Sequence, residues 1–209
     1  MLALQLYLSL SFTNTTGLGF IAGLITYFSF FTILGNIFVA TVFTAPWLAL
    51  GNRLRGFLTS PNVQAGVAVY IVFVGLGYSL LLRHVWNPEG MQKIADAMLH
   101  DVMPVVYFLY WLVFVPKGQL RWRIAPRWLV LPAAYFAYAL LRGALAGQYP
   151  YYFLDVTVYG YQRVFATALV FLIAVLVLGL LIIAIDGAMN RLQPSQLHTR
   201  SESTNSDRE

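Results

Sequence analysis

Five consecutive residues, "HDVMP" from His100 to Pro104, combine an imidazole, a carboxylate and a proline that disturbs the backbone between them. They stand directly before the apolar run "VVYFLYWLVFV". In a continuous helix Pro104 has no N–H to offer the carbonyl of His100, so that carbonyl loses its partner and the helix kinks there. Asp96 lies one helical turn before His100 on the same face, where a carboxylate can accept from one ring nitrogen and fix the tautomer of the other. A general base requires that kind of orientation. Asp101 points about 100° away and suits the role less well. The plain alternative for His100 is a structural hydrogen bond between helices.

A second polar set, "SFFTILGN", places Ser29, Thr32 and Asn36 at three- and four-residue spacing, on one helical face, with Gly35 allowing a neighbour to approach. Thr32 offers a hydroxyl that a base could activate. Asn36 carries amide donors that lipid cannot satisfy and that could hold an oxyanion. A packing seam in which threonine bonds its own backbone is the alternative. Further along, Tyr135, Tyr138 and Arg142 repeat the same spacing, and Arg142 could snorkel to the outer interface or pair with Asp155, which the loop "GQYPYYFLDVTVYGY" supplies. Tyr149, Tyr151 and Tyr152 in that loop suit an interfacial aromatic belt, and the loop could roof a cavity.

The elements that must position these groups follow from composition. Of 209 residues, 59% are hydrophobic and only 10% charged, with mean hydropathy +0.70, far from the roughly 25% charged usage of soluble domains. An all-α, polytopic membrane protein is expected, because the apolar stretches suit spanning helices and none shows the alternation of an outer-membrane barrel. Four spans run over 20–50, 63–82, 93–115 and 128–146, and the most apolar over 163–185. Before them stands "MLALQLYLSLSF", read as a first helix that is short or truncated rather than as a signal peptide, since it lacks a basic leading region. That gives a six-helix bundle forming a single domain over 1–190, followed by a polar, disordered cytoplasmic tail over 191–209.

Arg53 and Arg55 follow the second helix, and Lys117, Arg121, Arg123 and Arg127 the fourth. By the positive-inside rule these loops are cytoplasmic, both chain ends are inside, and the expected location is the cell (inner) membrane, multi-pass. Depth then bears on the two polar faces, for Thr32 lies roughly 18 Å and His100 roughly 10 Å from the outward ends of their helices. An error of a few residues in those ends would bring them level.

Other chemistries are narrowed by what the sequence lacks. Zero cysteines exclude disulfides and thiolate sites. No carboxylate or histidine cluster has metal-ligand spacing, and the only lysines, Lys93 and Lys117, are not mid-span, which excludes a retinal Schiff base. The net charge of +5 sits in short loops and reports topology, not nucleic-acid binding. Membrane lipids and a lipid-like substrate are the expected partners, with no cofactor. A lipid or small-solute binding or transport protein is the alternative, and a haem protein using His84 and His100 a weaker one.

In order, "FFTILGN", "HDVMP" and "YPYYFLD" resemble a bacterial group of six-helix membrane proteins, itself similar to the animal androgen-induced-gene and androgen-dependent-regulator family. Members of that animal family are intramembrane threonine hydrolases of fatty acid esters of hydroxy fatty acids. The resemblance covers the chain from the second helix onward and implies Thr32 as nucleophile and His100 as base. Two features depart from it: the step from histidine to proline is one residue shorter here, and Asn36 stands near an acidic position of the animal proteins. The implied reaction is hydrolysis of a lipid ester, with Asp96, or less well Asp101, orienting His100.

Overall fold

The computed structural model describes residues 1–192, and it is all-helical among them. The expected tail lies, from residue 193, outside the described residues. Helices α1 (Leu2–Thr15) and α2 (Gly19–Phe28) pair as a hairpin, and α3 (Phe31–Thr44) follows α2 after a break. A short α4 (Asn52–Leu58) carries the arginines of the next loop. Then come α5 (Pro61–Gly77), α6 (Gly90–Ala97), α7 (Met103–Phe114), α8 (Val130–Ala146) and α9 (Val156–Leu192).

Four helical stretches, Pro61–Leu82, Gly90–Phe114, Trp122–Ala146 and Val156–Leu192, are long and apolar enough to cross a bilayer, the last of them kinked near its start at Gly160 (φ 71°, ψ 155°), and the bent pair α2–α3 makes a fifth candidate. Helix α1, with 14 residues, is not among them. Its length, about 21 Å, falls short of a bilayer core of about 30 Å. The chain expected to run as one helix over 20–50 is broken at Ser29–Phe30, where the axis turns by 75°.

Helix α5 is the hub. Half of its apolar window is buried, against 22–28% for the other three long stretches. Its small residues let neighbours come close, and the Trp128 indole lies directly over Gly66. On α9 the outward face repeats every fourth residue, Phe165, Leu169, Ile173 and Val177, each about half exposed. An unbroken apolar stripe of that kind suits contact with lipid tails.

Two helices loosen into π-helical turns, at Tyr78–Leu82 after α5 and at Met98–Val102 between α6 and α7. The second is the outcome of Pro104. The extra residue is absorbed by a bond from the Met103 amide to the Met98 carbonyl, and the His100 carbonyl lies against Gly75 of α5. Such bulges occur often at functional sites because they re-aim side chains. Here both lie side by side.

Candidate functional site

The break before α3 changes what Thr32 can do. Helical threonines usually return their hydroxyl to a carbonyl one turn back, as Thr41, Thr44, Thr59 and Thr167 do here, to Ile37, Ala40, Arg55 and Arg163. Thr32 lies in the first turn of α3, and the residue one turn back, Phe28, belongs to a helix pointing elsewhere. Its hydroxyl is therefore free for another partner. It lies 3.1 Å from His100 Nε2.

The other ring nitrogen identifies the tautomer. His100 Nδ1 is 3.0 Å from the Asp96 carbonyl oxygen and 3.2 Å from Asp96 Oδ1. A backbone carbonyl only accepts, so Nδ1 carries the hydrogen and Nε2 presents its lone pair to the Thr32 hydroxyl, which donates. Asp96 is buried and its second oxygen accepts from the Tyr78 hydroxyl. The Tyr78 ring also stacks on the imidazole, with centroids 4.1 Å apart and planes at 15°. Tyr78 thus holds both the imidazole and the carboxylate beside it. It carries no signal in the sequence, because its place depends on the π-helical turn that ends α5.

Asn36 takes a different role from the one expected. Its amide nitrogen donates to the Thr32 carbonyl (2.9 Å) and to the Leu99 carbonyl (3.3 Å), so both of its hydrogens are used. It ties α3 to the π-helical turn at His100 and has no donor left for an oxyanion. Ser29 does not share the face of Thr32, because the break ends the helical repeat between them. Its hydroxyl lies 2.5 Å from the Ile25 carbonyl, to which it donates, and 2.8 Å from the Tyr138 hydroxyl, while Tyr135 donates to its carbonyl at 2.9 Å. The tyrosines of α8 therefore pin the break.

Asp101 turns away from the site and pairs with Arg83, both side chains being over 40% exposed. The expected Arg142–Asp155 pair does not form. Arg142 donates to the Gln148 carbonyl, and Asp155 caps α9 by accepting from the Thr157 amide (2.9 Å) and hydroxyl (2.6 Å). Those bonds hold the Asp155 carboxyl below its ordinary range. His84 lies in the exposed turn after the first π-helical turn, outside this constellation. With both ring nitrogens of His100 bonded to protein groups, the bis-histidine haem arrangement loses its mid-helix ligand.

Two cavities meet at the dyad. The larger, about 1060 Å³, lies between the α1–α2 hairpin and the bundle, and Thr32, Tyr78, Asp96 and His100 line it together with Tyr27, Phe30 and Leu99. Gln5, Gln92 and Gln148 also line it, and Gln5 and Gln92 bond to each other at 2.9 Å. The smaller, about 70 Å³, is walled by aromatic and aliphatic side chains including Phe73, Phe136, Phe153 and Phe171. Thr32, Tyr78, Leu82 and Tyr151 border both. Tyr151, expected at an interfacial belt, thus reaches the site from its loop. No group of three or more metal-ligating side chains occurs among the described residues. No protein-family model, curated protein or solved structure matches the chain.

Proposed function

We propose that the chain is a membrane-embedded hydrolase of lipid esters, with Thr32 as nucleophile and His100 as general base. The observation that carries this is the 3.1 Å approach of Thr32 Oγ1 to a His100 Nε2 whose lone pair is fixed by the bonds that Nδ1 makes to Asp96. A nucleophile, a base and an orienting group within hydrogen-bond reach form the arrangement on which acyl transfer by hydroxyl groups relies.

In the reaction His100 Nε2 takes the hydroxyl proton as Thr32 Oγ1 attacks the ester carbonyl carbon. The tetrahedral intermediate collapses with cleavage of the bond to the alkoxy oxygen, and the leaving alcohol receives the proton from His100. Water, deprotonated by His100, then releases the acid and returns the proton to Thr32. Asp96 stays ionised and stabilises the imidazolium, and the stacked Tyr78 ring shares that charge. A large cavity with a predominantly apolar wall and a few polar side chains suits an amphiphile whose ester sits beside the dyad.

With this proposal goes the multi-pass inner-membrane bundle expected from the sequence, with six helices, both ends inside and the arginine-rich loops in the cytoplasm, in which α1, only 14 residues long, crosses as a short span through locally thinned bilayer. The site then lies in the outer half of the membrane. Purified protein should hydrolyse nitrophenyl acyl esters with a rate that depends on acyl length, and Thr32→Val, which keeps the shape, should abolish it. Retention of a lipid by wild type and Thr32→Val alike, with no turnover by either, would instead identify a lipid-binding protein occupying the same cavity.

A further inference from the structure

With both hydrogens of the Asn36 amide engaged, the ester reaction lacks the oxyanion donor that the sequence suggested. We propose that the oxyanion is held at the break between α2 and α3, by the backbone amides of Phe31 and Thr32 together with the Tyr151 hydroxyl, so that Tyr151 is a further catalytic residue. The inference rests on the hydrolase reading of Thr32 and His100.

The amides come first. Phe30 is extended (φ −92°, ψ 130°) and caps α3 without a side-chain hydrogen bond. Ile33 and Leu34 both donate to its carbonyl, at 3.0 and 3.3 Å, whereas the amides of Phe31 and Thr32 donate to no backbone carbonyl among the described residues. They open the first turn of a 14-residue helix, where unpaired N–H groups and the positive end of the helix dipole favour negative charge. One of them is the amide of the nucleophile itself. In serine-protease catalysis the nucleophile's own N–H supplies half of the oxyanion hole, because the carbonyl oxygen under attack must lie beside it.

Tyr151 closes the site from the opposite side. Its side chain lines both cavities that meet at Thr32, and the smaller of them together with Phe31 as well. The ring is fixed by an edge contact with Phe30 (5.7 Å) and a parallel stack on Phe153 (5.1 Å, 6°). Burial pushes the phenol above the ordinary tyrosine range, so it keeps its proton at neutral pH and can donate. As Thr32 Oγ1 bonds to the carbonyl carbon, the C=O pair moves onto oxygen and meets these three donors. It returns when the bond to the leaving alcohol breaks, so the donors exchange no proton.

The test is Tyr151→Phe, which keeps the ring and removes the donor. On a nitrophenyl acyl ester kcat should fall about 100-fold with KM little changed, the loss seen when one such donor is removed elsewhere. Inhibition by an acyl trifluoromethyl ketone, which forms the tetrahedral oxyanion on Thr32, should weaken by a similar factor while the unfolding midpoint stays at the wild-type value. A kcat within about threefold of wild type overturns the role of Tyr151 and leaves the hydrolase standing on wild-type turnover. Parallel losses in kcat and inhibitor binding accompanied by a lowered midpoint, and reproduced by Tyr152→Phe, would make the residue structural and also overturn it. Wild-type protein without Thr32-dependent turnover removes both proposals together.

Discussion

Thr32 and His100 make a dyad because each has been denied its ordinary partner. The break deprives Thr32 of a carbonyl one turn back, and Asp96 occupies the nitrogen of His100 that would otherwise compete for the hydroxyl. Replacing His100 by Ala should lower ester turnover by about 10²–10⁴-fold, the usual contribution of a positioned base, as read from kcat in detergent. Asp96→Asn should cost less than the roughly 10⁴-fold known where such a change inverts the tautomer. The reason is that the Asp96 carbonyl, 3.0 Å from Nδ1, still selects it. Asn36→Leu leaves two buried carbonyls without their donor and should lower stability by about 1–3 kcal/mol, read as a fall in the unfolding midpoint. Much of this was legible in residue types. The spacing of Asp96 and His100 marked the proposed base and the carboxylate that holds its ring, and Thr32 stood out as a hydroxyl among apolar neighbours. Asn36 was misread because its donors are consumed by a carbonyl on another helix, Leu99, and such a contact leaves no local pattern.

Irregular backbone at three places positions these residues: the α2–α3 break and the two π-helical turns. Pro104 announced one of them: the helix takes a π-helical turn just before it, and Pro104 and the His100 carbonyl pack on Gly75. The other two had no marker. Ser29–Phe30 contains neither glycine nor proline, and the break is held from outside, by the bonds that Tyr135 and Tyr138 make to Ser29. Pro104→Ala restores an amide that can reach the His100 carbonyl and convert the bulge to regular helix, turning the imidazole away from Thr32. Turnover should fall steeply while the unfolding midpoint holds or rises, and a variant of unchanged activity would show that the π-helical turn is dispensable. At the α9 cap the Asp155 carboxyl titrates below its usual 3.8 in the folded chain. A lowered carboxylate value stabilises the fold above the unfolded value, and that contribution is lost as pH falls through the folded one. Asp155→Asn should therefore flatten the acid side of the melting-temperature profile between pH 5 and pH 2 (roughly the carboxylate range).

Over the whole molecule, a hub helix with small residues gathers the site from α3, the end of α5 and the α6–α7 junction, and a loop from above completes it. The fold class and most long helices were legible because bilayer-spanning length and apolarity are properties of single segments. The hairpin α1–α2 was not, since its arms depend on each other and on the larger cavity they cover. Absence of cysteine makes the proposed orientation open to single-cysteine mapping. Glu89→Cys should react with an impermeant maleimide in intact cells and Arg53→Cys only after permeabilisation, and the reverse pattern would invert the topology. The central claim is that Thr32 is a nucleophile activated by His100. It is tested most directly by incubating purified protein with a fluorophosphonate and locating the adduct by peptide mass spectrometry. The account predicts one phosphonyl group on Thr32, lost in Thr32→Ala and strongly slowed in His100→Ala. An unmodified Thr32 in active-lipid-free, folded protein, or labelling that persists in both variants, would contradict it.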